Sequence, residues 1–204
     1  MPRPQTDAGL WLSKTLLAPA RGDVCRLEVC HGACCAGGIW VDVVAVQAIL
    51  AAEPTIAPRL PADRRDPDQW FSGESFEHSD FPSGIANATT VLPRPDGSQR
   101  PGCTFLEADN TCALEHASAA LGLGWPGLKP FDCATFPLLR SEGTVGRDRS
   151  VHHVEGQADC KPPASGAGPA FHQVFRREVE LAIGRQGAER LERWQARRDA
   201  RRRD

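Results

Sequence analysis

An α+β fold is predicted: a single small domain of short helices and hairpins, with C-terminal helices packed on it. Three observations predict it. Short apolar stretches of strand character alternate with helical ones, and Pro, Gly, Asp and Ser punctuate the chain between them. The last third carries apolar residues at helical steps. Eight cysteines in 204 residues are bunched rather than spread, which asks for irregular loops that converge on one place. With 41% hydrophobic residues the chain can bury a core without crosslinks.

The elements follow in order. Residues 1–22 read as a lead-in segment, with Pro19 and Gly22 before the first cysteine. Residues 24–29 alternate in strand fashion, and the dense cysteine stretch 25–35 is closed by Gly37 and Gly38. Over residues 41–53, Val43, Val44, Val46, Ile49 and Leu50 predict a buried helix with Asp42 as N-cap, ended by Pro54. Residues 54–101 are rich in Pro, Asp, Gly and Ser and read as an insertion of loops and turns. Within and beyond it, residues 86–92 have strand character, Pro95–Ser98 form a turn, and residues 103–107 supply the returning strand. A helix over 113–121 is stopped by Gly122 and Gly124, and a hairpin joins 136–140 to 143–151. From Pro169 to about Arg202 the pattern is helical. Phe171, Val174, Phe175, Val179 and Ile183 lie at three- and four-residue steps, and Gly184 and Gly187 divide the region in two. The organisation is thus a lead-in (1–22), a cysteine-bearing body (23–168) and a helical region with a basic tail (169–204).

Charge narrows the partners. A net charge of −2 gives no overall attraction to nucleic acid or to an anionic membrane. Residues 185–204 carry eight arginines against Glu189, Glu192, Asp199 and Asp204. Those acids fall at helical steps and Trp194 is the one aromatic, so this tail reads as a solvated helix face. No run approaches the roughly 20 apolar residues of a membrane span. The stretch Leu10–Leu17 is broken by Ser13 and Lys14, and no small-residue cleavage site follows it. A cytoplasmic chain with no membrane or nucleic-acid partner is expected; a protein partner is compatible with the sequence. No Gly-rich phosphate loop, Ser-His-Asp arrangement or HExxH motif is present.

The chemistry therefore rests on the cysteines: Cys25, Cys30, Cys34, Cys35, Cys103, Cys112, Cys133 and Cys160. Cytoplasmic thiols stay reduced, so metal binding is favoured over disulfides. Several thiolates must meet within a few ångströms, and closely spaced cysteines on a compact loop achieve that at little entropic cost. Ligands from distant segments would then tie the fold together. Cys30 and Cys34 fit one face of a helical turn, whereas adjacent Cys34 and Cys35 point apart unless the backbone bends. Gly32, Gly37 and Gly38 would let the backbone approach the sulfurs and offer them N–H groups. These spacings match neither paired C-x₂-C zinc knuckles nor ferredoxins. His31, between two cysteines, is the best mixed-ligand candidate, with His152 and His153 near Cys160. Lys129 would offset the negative charge of a thiolate-held centre; the plainer reading is a proline turn at Pro130 with Lys129 in solvent.

On these residues the chain resembles the YkgJ-type cysteine-cluster proteins, a family described as a zinc- or iron-chelating domain. The resemblance is carried by Cys30-x₃-Cys34-Cys35, Cys103-Thr-Phe-Leu, Cys112-Ala-Leu-Glu115, Lys129-Pro130-Phe-Asp-Cys133-Ala-Thr-Phe136-Pro137 and Cys160-Lys-Pro, in the family's order. It runs from about residue 24 to residue 161. It implies a metal centre held by all eight cysteines, with Gly32, Gly37 and Lys129 beside it. A related cysteine cluster in flagellin lysine N-methylases implies an iron–sulfur or methyl-transfer connection. The expectation is an iron–sulfur cluster of the [4Fe–4S] kind, or zinc, in a structural or redox role. The alternatives are a cluster- or metal-dependent enzyme, such as a protein methyl-transfer factor, and a zinc-stapled interaction module.

Overall fold

The computed structural model describes residues 3–20, 32, 35, 37–148 and 168–201. In chain order it runs β1 (Trp11–Leu12), a 3-10 turn (Lys14–Leu17), β2 (Trp40–Asp42), α1 (Val43–Ala51) and α2 (Glu53–Ile56). Single 3-10 turns lead to β3 (Phe71–Glu77), β4 (Ile85–Thr89), β5 (Val91–Pro93) and β6 (Pro101–Cys103). Then come α3 (Ala113–Ala120), α4 (Phe131–Thr135), β7 (Leu138–Ser141), β8 (Thr144–Arg147), α5 (Phe171–Val174) and α6 (Arg176–Ala200). Short helices and small sheets make this a mixed α+β chain. Two units divide it, Cys25–Ala134 and the pair of segments Met1–Val24 and Thr135–Asp204. No helix among the described residues is long and apolar enough to cross a membrane.

In the unit Cys25–Ala134, β2, β4 and β3 form an antiparallel sheet in that order, and β5 pairs with β6. The chain leaves β2 directly into α1. Asp42 makes that exchange possible, because its Oδ1 accepts the Val44 amide at 2.8 Å and satisfies one of the orphan donors of the first turn. Pro54 does not end the helical stretch. The break falls at Ala52, and proline occupies the first turn of α2, where its missing N–H costs nothing. The turn at Asp96–Ser98 forms as expected, with the Ser98 amide on Asp96 Oδ1 at 2.8 Å, and it returns the chain through β6. Trp70 anchors the core, fully buried beside Phe105 at a ring separation of 5.3 Å, with its indole N–H on Arg64 O at 2.7 Å. Burying one such side chain stabilises the fold by about 2–3 kcal/mol.

The other unit is built on β7, β8 and β1. The hairpin turns at Glu142 and Gly143, both at positive φ, and β1 lies parallel to β8 with Leu12 opposite Val145. Leu12, Leu16, Leu138, Val145, Phe171, Phe175, Val179, Leu191 and Trp194 form one apolar cluster. The predicted helical face at 171–183 is thus the buried one. His172 ties it to the N-terminal segment, its Nδ1 lying 3.0 Å from Leu16 O. The helical region breaks at Gly184, whose φ of 71° and ψ of 164° are left to glycine, while Gly187 stays within α6.

Candidate metal centre

Cys25, Cys30, Cys34 and Cys160 lie outside the described residues, as do His31, His152, His153 and the strand expected at 24–29. The remaining four predicted ligands, Cys35, Cys103, Cys112 and Cys133, all belong to the unit Cys25–Ala134. Each is carried by a different piece of local structure. Cys35 closes a tight turn whose amide donates to Gly32 O at 3.0 Å, and it packs against the core at half-burial. Cys103 ends β6 and is buried. Cys112 caps α3, bridged to Leu106 in antiparallel fashion. Cys133 sits within α4, a turn of helix begun at Pro130, whose carbonyl accepts the Ala134 amide at 2.9 Å.

The segment around Cys35 is fixed at both ends against the segments carrying the later cysteines. At its start, Gly32 has φ +60°, and a Cβ there would stand 2.7 Å from Asn110 O and 2.9 Å from Leu106 Cδ2. No other residue fits that approach. At its exit, a Cβ on Gly38 would meet Val91 Cγ2 at 2.8 Å and Thr89 Oγ1 at 2.9 Å. The Thr89 hydroxyl accepts the Ile39 amide at 2.9 Å and faces the Cys103 thiol at 3.7 Å, so one side chain joins the loop to β6. Gly37 is exposed, and no described atom lies within 4 Å of the position its Cβ would take.

Three cations surround these segments. Lys129 is not in solvent: its side chain is 17% exposed and its Nζ bonds Glu115 Oε2 at 2.7 Å. Burial alone would lower its pKa, but the hydrogen bond and charge of Glu115, helped by Cys112 and Cys133, raise it, and the ammonium stays charged. Arg94, 8% exposed, donates from Nη2 to Gly32 O at 2.6 Å and from Nε to Pro101 O at 3.3 Å. Arg64, 3% exposed, donates from Nη1 to Cys103 O at 3.4 Å and from Nη2 to Pro93 O. Its Nε has no hydrogen-bond partner, and Asp63, 4.0 Å away, is itself 74% exposed. The two guanidinium groups therefore clasp backbone carbonyls of the very segments that hold Gly32 and Cys103.

The thiols answer to this setting. Burial pushes the Cys112 thiol up to about 12, against the pull of Lys129, and the neighbouring Cys103 raises it further. Cys112 is half-buried by exposed area yet densely surrounded, and the crowding governs its proton. At neutral pH it is a thiol, which becomes a thiolate only where a metal ion displaces the proton. Among the described residues no group of three or more His, Cys, Asp or Glu side chains is gathered closely enough to hold a metal ion.

Sequence reasoning missed Arg64 and Arg94, since arginine is ordinarily an exposed residue. It also missed a hydrogen-bonded pair at the first turn of α3, where His116 Nδ1 lies 2.7 Å from Glu107 Oε1 and Arg59 lies 3.4 Å from the same oxygen. No family model, curated protein or solved structure matches this chain.

Proposed function

We propose that this protein holds a thiolate-bound metal centre, an iron–sulfur cluster of the [4Fe–4S] kind in preference to zinc, with a structural or redox role in the cytoplasm. Irregular loops bearing Cys25, Cys30, Cys34, Cys35, Cys103, Cys112, Cys133 and Cys160 would enclose it. The observation that carries the reading is the burial of Arg64, Arg94 and Lys129 around the cysteine segments. A buried cation is costly unless a counter-charge is near. Glu115 answers Lys129, but among the described residues the carboxylate beside Arg64 is that of Asp63, exposed and 4.0 Å away. Four thiolates around zinc or a cluster carry net negative charge and would supply the close counter-charge that Arg64 lacks among the described residues. A cation about 6 Å from such a charge gains about 3 kcal/mol at an effective dielectric of 20.

The donor chemistry fits the group. Thiolates suit both zinc and iron–sulfur clusters. Of the eight, Cys35, Cys103 and Cys112 come from segments that Gly32, Gly38, Thr89 and Arg94 hold together. When bound, a cluster supplies one-electron transfer or a rigid crosslink between segments. Arg94 and Lys129 would set the potential of such a centre, while Gly32 and Cys35 fix the approach of the loop. The preference for a cluster over zinc rests on the adjacent Cys34 and Cys35, the neighbouring glycines and the resemblance to the YkgJ-type proteins.

Anaerobic purification followed by iron, zinc and acid-labile sulfide analysis tests the reading. Brown protein, with broad visible absorption that bleaches under dithionite and sulfide in proportion to iron, is expected. Colourless protein with firmly held zinc would establish the zinc alternative. Protein with neither metal, made where clusters are assembled, would refute the proposal.

A further inference from the structure

The sheet β2-β4-β3 carries a second feature, on residues the cysteines do not use. Trp40 of β2 is 50% exposed. Around it stand Phe76, with ring centroids 5.2 Å apart at 72°, and His78, 5.2 Å away at 66°; Phe81 backs His78 at 4.7 Å. Strand register explains the grouping. Trp40 lies opposite Ala88, while Asp42 and Phe76 flank Ala86, which is fully buried beneath them. Small residues on the central strand let the large rings of the two outer strands meet across it. His78 is oriented by the Asp80 amide, which donates to its Nδ1 at 3.3 Å.

The segments that form this sheet carry no lysine or arginine. From residue 27 to residue 58 the chain contains no lysine or arginine, and from 66 to 93 there is none either. Over the second stretch there are five acids: Asp66, Asp68, Glu74, Glu77 and Asp80. Glu74 of β3 is exposed two residues from Phe76, and Asp42 shares the strand face of Trp40. An exposed aromatic surface with acidic neighbours repels nucleic acid and anionic lipid, both of which need cations to offset their phosphates. It attracts the opposite chemistry. A guanidinium stacks on an indole face and gains from the ring quadrupole as well as from the carboxylates.

We infer that the face formed by Trp40, Phe76 and His78, with Asp42 and Glu74, is a docking surface for an arginine-bearing segment of a partner protein. Its test uses the full chain and a fluorophore-labelled peptide of alternating arginine and glycine, titrated by anisotropy at physiological ionic strength. Saturable binding is expected, absent for the same peptide with glutamine in place of arginine. Trp40→Ala should weaken it roughly fivefold to tenfold, the loss of about 1 kcal/mol of cation–π attraction. Should Trp40→Ala disturb folding, the exposed Glu74→Arg gives an independent reading and should weaken binding by about the same factor. The inference is overturned if the arginine peptide does not bind, if both variants bind as the parent does, or if Glu74→Arg weakens binding while a folded Trp40→Ala binds as the parent does, which reduces the effect to net charge. It is equally overturned if sedimentation shows a dimer that Trp40→Ala dissolves, because a second copy then fills the face. A single-stranded oligonucleotide that binds through Trp40 also overturns it.

Discussion

The unit Cys25–Ala134 and the unit formed by Met1–Val24 with Thr135–Asp204 solve the same packing problem with different materials. In the second, leucines, phenylalanines, Val179 and Trp194 fill one continuous cluster, and its buried carboxylate Glu178 lies 3.2 Å from Arg177. In the first, an apolar cluster of similar membership shares the interior with two guanidinium groups and with Cys35, Cys103 and Cys112. An apolar core holds itself together by area and packing density. A core that buries cations beside thiols depends on counter-charges and hydrogen bonds as well as on area. A largely apolar core thus stands against one that buries guanidinium groups beside thiols, and on the proposed reading the latter is completed by a bound metal centre.

The largest expected effect falls on the apolar unit. Leu191→Ala should cost about 3–5 kcal/mol, as for a large-to-small change in a sealed core. The shift in denaturation midpoint should be the same with and without chelator. A chelator-dependent shift would break the distinction between the units. Next comes Arg94→Gln, which keeps some hydrogen-bonding capacity toward Gly32 O and removes the charge. It should cost about 2–3 kcal/mol in metal-loaded protein and less in metal-free protein, because the lost term is attraction to an anionic centre. Equal losses in both forms would make Arg94 a clasp and nothing more.

Lys129→Met should be milder, about 1 kcal/mol in metal-free protein, since its partner Glu115 is one-third exposed and can turn to water. Metal per chain, measured by mass spectrometry, should nevertheless fall. The smallest effect is that of Asp42. Burial tends to raise its pKa, but hydrogen bonds from Ser83 and Val44 together hold it below the usual carboxylate value. A folded pKa below the unfolded one means the contribution is complete at neutral pH. It disappears as the pH falls through the acid range beneath the ordinary carboxylate value. Asp42→Ala should cost about 1 kcal/mol at pH 7 as a lost N-cap, and the difference from the parent should shrink on acidification.

Much of the second unit was legible because its signals are local. The face at 171–183, the break at Gly184 and the hairpin turn at 142–143 each follow from residues a few positions apart. Its remaining strand was not legible. Trp11–Leu12 reads as lead-in, and nothing within residues 1–22 announces a parallel partner more than 130 residues on. In the first unit the N-cap at Asp42 and the turn at Asp96 were visible. Strand β3 was not, because Phe71–Glu77 is nearly all exposed and lacks the alternation that marks a half-buried strand. At the candidate site the sequence named the cysteines and Lys129, yet it held no sign that Arg64 and Arg94 turn inward. Their burial depends on carbonyls of Pro93, Pro101, Cys103 and Gly32, which only the folded chain brings within reach.

Hydrogen exchange on metal-loaded and metal-stripped protein tests the contrast between the units most directly. Stripping should expose amides in the segments around Cys35, Cys103, Cys112 and Cys133, as ligation free energy leaves the fold, while β7, β8 and residues 171–194 keep their protection. Unchanged protection around those four cysteines, or a loss spread evenly over both units, would contradict it.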